Sequence, residues 1–122
     1  MSTLPRKTRA SKGGPTGRAS STPNRALARF RRILRRRLPE LQQAYGVEGL
    51  WLFGSYVRGK ARSRSDLDVL VEFDDRLALS LLEFIELENR LSDWLGVPVD
   101  LVEKKGLKPT IGRHVLQEAL PV

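Results

Sequence analysis

Residues 53–71 read Phe53-Gly54-Ser55-Tyr56-Val57-Arg58-Gly59-Lys60-Ala61-Arg62-Ser63-Arg64-Ser65-Asp66-Leu67-Asp68-Val69-Leu70-Val71, and the architecture follows from how this stretch divides. Its first residue closes an apolar run over 49–53, and its last residues belong to a second run over 67–73 rich in β-branched side chains. Both runs predict strands. Between them stand glycine, serine and basic residues, the composition of an exposed turn. Asp66 and Asp68 lie two positions apart at the start of the second strand, and a period of two places them on one face. With a rise of about 3.3 Å per residue their Cβ atoms stand roughly 7 Å apart, a span that one or two cations can bridge.

Outward from this stretch the elements are equally marked. Upstream, Leu27, Phe30, Leu34, Leu38, Leu41 and Tyr45 recur at helical spacing with Arg31, Arg32, Arg35, Arg36 and Arg37 between them, which predicts an amphipathic helix over 24–45. Pro39 suits the first turn of a new helix and disfavours helical geometry at Leu38, so this helix is expected in two pieces, with Gly46 as its stop. Downstream, Ser80-Leu81-Leu82-Glu83 is a capping box ahead of a stripe of Leu81, Phe84, Ile85, Leu87, Leu91, Trp94 and Leu95, ended by Gly96. A third strand is expected over 98–102 and a last helix over 110–120, entered through Pro109. The order helix, strand, strand, helix, strand, helix, without internal repeats, predicts an α/β (α+β) domain in which helices flank a small mixed sheet.

Composition bounds the chemistry. The 122 residues, 40% apolar, supply one modest core. There is no cysteine and a single histidine, which excludes disulfides, thiolate zinc sites and multi-histidine clusters, so any metal must be held by carboxylates. No apolar run is long enough to cross a bilayer, no secretory apolar segment stands at the N-terminus, and the expected compartment is the cytoplasm. The net charge of +8 is unevenly placed: residues 1–37 carry +12 without one acidic side chain, and 38–122 carry −4. Of the first 24 residues, 14 are Gly, Pro, Ser or Thr and 5 are basic, so 1–23 reads as a disordered basic tail that cannot bury enough to fold. The same acid-free leader has the composition of a transit peptide or of a flexible nucleic-acid-binding arm; a solvated tail is the simplest reading.

Two anions on one strand face repel, and a hard divalent ion with oxygen ligands resolves that repulsion. Asp100, between Val99 and Leu101, is a third carboxylate in an apolar strand; its structural alternative is an ion pair with Arg58, Arg62 or Arg64. Gly54-Ser55, at a strand end ten residues before Asp66, offers amide N–H groups, a hydroxyl and the positive end of a short helix to a polyphosphate. Other residues take plain roles. His114 is a surface or partly packed residue, Trp51 and Trp94 are core, Tyr56 packs over the turn, and Lys104, Lys105 and Lys108 form a solvated loop.

Gly-Ser, ten residues, Asp-x-Asp and, after a helix, a third aspartate in a strand closely resemble the signature of the minimal nucleotidyltransferases, in the DNA polymerase β-like superfamily. The likeness runs over 47–122 and includes Arg58-Gly59 and Val99-Asp100-Leu101-Val102; the tail over 1–23 and the helical segment over 24–46 fall outside it. The resemblance implies a polymerase β-like fold in which Gly54, Ser55 and Arg58 hold nucleotide phosphates. It also implies that Asp66, Asp68 and Asp100 are catalytic and ligate two Mg²⁺ ions, with ATP as substrate. An acceptor hydroxyl then attacks the α-phosphorus and pyrophosphate leaves in line. Small stand-alone proteins of this kind are commonly antitoxins paired with a HEPN-domain RNase toxin, and some transfer AMP to a toxin tyrosine, which implies protein adenylyltransferase activity and a HEPN-type partner. Two alternatives stand beside it: a non-catalytic antitoxin acting by contact, and a nucleic-acid-binding protein using the basic N-terminus.

Overall fold

The computed structural model describes residues 18–62, 65–76 and 79–122, with side chains from Arg25 onward. The expected tail lies outside the described residues as far as residue 17. Helix α1 (Arg18–Tyr45) starts ahead of the expected Asn24, and it runs unbroken through Pro39. The proline removes one donor from the helical ladder and costs about 3 kcal/mol. Leu34, five residues before it, and Leu41, two residues after it, are both fully buried, and each contributes roughly 1.5–3 kcal/mol. Anchoring on both sides of Pro39 outweighs the local preference to break. The helix ends at Gly46, whose φ of 72° and N–H to the Gln42 carbonyl close it.

Strand β1 (Val47–Phe53) pairs antiparallel with β2 (Leu67–Phe73), and β2 pairs in parallel with β3 (Val99–Glu103). The crossover between the parallel strands is α2 (Leu81–Leu95), which begins with the expected capping box. Ser80 Oγ accepts from Glu83 N–H at 3.1 Å and Glu83 Oε1 accepts from Ser80 N–H at 3.1 Å. Gly96 at φ 73° ends it. Of the stripe expected to face the core, Leu87, Leu91 and Leu95 are buried, but Leu81 and Ile85 face solvent. In the first turns of α2 it is Phe84 that packs inward, edge-on to Phe73 at 6.3 Å.

The last helix, α3 (Pro109–Glu118), follows a 3₁₀ turn over Lys104–Gly106 and leads into a two-residue strand, β4 (Leu120–Pro121). β4 lies antiparallel on β1, giving the sheet order β3-β2-β1-β4. It was not expected: two residues, one of them proline, carry no strand periodicity. The segment is fixed by Val122 N–H to the Leu50 carbonyl at 3.0 Å, and by the Arg31 and Arg35 side chains, which donate to the carbonyls of Pro121 and Val122. Together α1 and α2 cover one face of the sheet, enclosing Leu50, Leu52, Leu67, Val69, Val71 and Leu101. Trp51, expected in this core, stands on the other face opposite Leu70 with Lys104 over its ring; Trp94 is only half-buried, under the Arg37 guanidinium.

Candidate functional site

The site is made by register. β1 runs toward the edge at which β2 and β3 begin, so Phe53 pairs with Asp68 on one side and Asp100 pairs with Asp68 on the other. Asp68 therefore stands between the Gly54-Ser55 turn and Asp100, and Asp66, expected on the strand, instead immediately precedes β2, two residues ahead of Asp68. Every site residue expected from the sequence falls at this end of the sheet. Gly54, Arg58 and Asp68 line one open cleft of about 420 Å³ together with Phe53, His114, Val115 and Glu118. Asp66 and Asp100 flank it, exposed, and Ser55 is half-buried at the turn.

The turn after β1 is tightly held. Gly54 has φ +86°, and a Cβ there would stand 1.9 Å from Asp68 Oδ2, so glycine is required both by conformation and by the carboxylate against it. Arg58 N–H donates to the Gly54 carbonyl at 3.0 Å and Lys60 N–H to that of Ser55 at 2.8 Å, forming one helical turn that Gly59 ends at φ 73°. Tyr56 packs beneath it, buried and edge-on to Phe30 at 5.3 Å. Ahead of Asp66, Ser65 Oγ accepts from Arg62 N–H at 2.7 Å, and Leu67 N–H donates to the Pro98 carbonyl at 2.8 Å, which fixes the start of β2 beside β3.

Burial first, and then the Asp100 and Asp66 carboxylates, push the Asp68 carboxyl above its ordinary value; Arg58 pulls the other way and Glu118 adds to the rise. Arg58, offered as one partner for Asp100, is instead engaged with Glu118 at 3.1 Å, and among the described residues Asp66, Asp68 and Asp100 form no salt bridge. Arg64 lies outside the described residues. The donor set fits a hard divalent cation: oxygen ligands only, mutually repelling, on one edge. Among the described residues no three acidic or imidazole groups already converge on one point; the Asp66 and Asp100 side chains are both exposed.

Glu118 was not singled out by the sequence. It enters from the last turn of α3, where Oε2 accepts from Gly54 N–H at 2.8 Å and both oxygens accept from Arg58 Nη1 at 3.1–3.2 Å. Nothing local announces it, because it lies 64 residues from Gly54. His114, one turn earlier, is exposed, as expected, and lines the same open cleft.

A mixed four-stranded sheet backed by helices, presenting a glycine-serine turn and facing aspartates at one edge, defines the nucleotidyltransferase class of fold. The family model for the nucleotidyltransferase domain matches residues 28–121, beginning within α1 and so upstream of the expected start of the likeness at 47. This chain belongs to the nucleotidyltransferase family, among its minimal members. It is 48% identical over 90 residues to the protein adenylyltransferase MntA of Thermococcus cleftensis, covering 74% of this chain and 89% of that one. A solved structure ascribed to the minimal nucleotidyltransferases is similar at a TM-score of 0.63 and 37% identity, covering 82% of this chain and 95% of that chain. A chain from the complex of a tri-AMPylated Shewanella oneidensis HEPN toxin with its MNT antitoxin shares the fold, with a TM-score of 0.52 at 21% identity, covering 81% and 70%.

Proposed function

We propose that this nucleotidyltransferase transfers AMP from ATP, with Mg²⁺, to a hydroxyl of a partner protein in the cytoplasm, and that the partner is a HEPN-type RNase toxin which the transfer silences. The observation that carries this reading is the register that sets Asp68 between the Gly54 turn and Asp100. A phosphate chain lying along that edge meets N–H donors and Arg58 on one side and carboxylates on the other. The likeness to a protein adenylyltransferase and to the antitoxin of an AMPylated toxin supports the choice of nucleotide and acceptor.

Asp66, Asp68 and Asp100 would hold two Mg²⁺ ions, which when bound lower the pKa of the acceptor hydroxyl and offset charge on the phosphates. The chain's own groups do the rest. The glycine at 54 lets the backbone approach a phosphate oxygen without a Cβ, the Gly54 N–H and Ser55 hydroxyl orient the chain, and Arg58 balances its charge. Helices α1 and α2 behind the sheet hold these groups rigidly, so little reorganisation is needed as pyrophosphate departs.

The test is transfer of label from α-labelled ATP with Mg²⁺ to a HEPN-type candidate acceptor. Wild type should label it, and Asp66→Asn with Asp68→Asn should reduce labelling by at least about a hundredfold. Equal labelling by that variant would end the catalytic reading. A variant that still neutralises the toxin without labelling it would make the protein an antitoxin by contact. A second reading rests on the recess of about 230 Å³ lined by Arg32, Arg36, Arg37 and Trp94, where an exposed guanidinium row meets an aromatic ring. Such a surface suits single-stranded nucleic acid. Binding that falls steeply with salt and is lost in Arg32→Glu/Arg36→Glu would establish it.

A further inference from the structure

The cleft already contains an anion, supplied by the chain itself. The Glu118 carboxylate takes the Gly54 N–H and the Arg58 guanidinium together, at 2.8 Å and 3.1–3.2 Å. A backbone N–H beside a guanidinium is the donor pair that a phosphate oxygen uses. Beyond these two donors, its wider surroundings oppose a negative charge there. It is the last residue of α3, where the helix dipole presents its negative end. It also faces the carboxylate side of the cleft, and its charge opposes ionisation of Asp68. Its side chain is still partly open to solvent, and Arg58 is about half-exposed, so the contact can be exchanged without opening the core.

We propose that Glu118 is an intramolecular placeholder for a nucleotide phosphate, and that it sets the affinity and charge selectivity of the site. A ligand must displace it to reach Gly54 N–H and Arg58. A magnesium-bound triphosphate, multiply charged and held at several points, can do so; inorganic phosphate, with one point of attachment, competes poorly. The displaced carboxylate swings to solvent about its own rotatable bonds. The inference rests on the reading of the Gly54–Arg58 turn as the phosphate subsite.

Equilibrium binding of MgATP and of inorganic phosphate to the full chain, in wild type, Glu118→Gln and Glu118→Ala, tests it. Removing the competing charge should tighten MgATP binding about ten- to a hundredfold in Glu118→Ala, less in Glu118→Gln, and bring phosphate binding into measurable range. If Glu118 merely braces the turn, both variants bind MgATP more weakly, and that result, or unchanged affinity, overturns the proposal. Thermal melts report whether Glu118→Ala remains folded; should it not, the near-isosteric Glu118→Gln decides by the same sign. Adding Arg58→Ala to the Glu118→Ala chain separates the two readings: loss of the gained affinity locates the phosphate at this turn. Full affinity in the double variant removes the subsite reading and the placeholder with it, whereas unchanged affinity in Glu118→Ala alone removes only the placeholder.

Discussion

A side chain at Gly54 would have nowhere to go. Its β-carbon would overlap the Asp68 carboxylate, and its φ of +86° is disfavoured for any L residue. Gly54→Ala is therefore expected to displace Asp68 and to strain the turn by roughly 1–3 kcal/mol. The expected readout is abolished nucleotidyl transfer with a lowered Tm, in a chain that still folds. Tyr45 offers a different test at the same scale. Its hydroxyl donates to Glu86 Oε1 at 2.5 Å, and burial first, then that bond, push its pKa up to about 12 against the pull of Arg90. Burial raises Tyr56 as well, so neither of the two tyrosines should yield phenolate absorbance at its ordinary pH near 10. Between pH 10 and 12 the folded chain keeps a proton that the unfolded chain has lost, so the Tyr45 contribution to stability falls as pH rises through that window. A phenolate titration with an ordinary midpoint would contradict the Tyr45–Glu86 contact.

Pro39 and Ser80 make predictions for whole elements, in opposite directions. Because α1 passes through Pro39 without a break, Pro39→Ala would supply the missing N–H and the better propensity, and is expected to stabilise by about 1–3 kcal/mol. A two-piece helix with Pro39 at its second start would instead lose stability on that change. Ser80→Ala removes the acceptor for Glu83 N–H and should cost about 1 kcal/mol, measured by denaturant midpoint. These elements also show what the sequence carried. The capping box, Gly96 and the span of β2 were readable because each is a local signal, satisfied by residues within one or two turns. The continuity of α1 was not, since it depends on Leu34 and Leu41 finding the same core, and which residues of the α2 stripe are covered depends on the elements packed against it. At the site, the aspartates and Gly-Ser were legible from their spacing, whereas Glu118 arrives through a tertiary contact that leaves no mark in the chain.

For the whole molecule, the C-terminal residues act as a strap. β4 lies on β1, Val122 bonds Leu50, and two arginines of α1 reach the same segment. Deleting 120–122 removes these bonds while leaving Glu118 in place. It should lower stability by roughly 1–3 kcal/mol, a Tm fall of several degrees. The far edge of the sheet is guarded from α2: Ser92 Oγ accepts from Val99 N–H at 3.0 Å and Glu88 Oε2 from Leu101 N–H at 2.8 Å. Those donors are withheld from a passing strand of another molecule. The contact between Gly54 and Glu118 carries one further consequence, for the order in which the molecule comes into being. During synthesis the glycine leaves the ribosome well before its glutamate partner, and Asp68 well before the strand that holds Asp100. A growing chain thus presents the Gly54 turn before the residue that closes it has been made, and the contact forms only once α3 has been added.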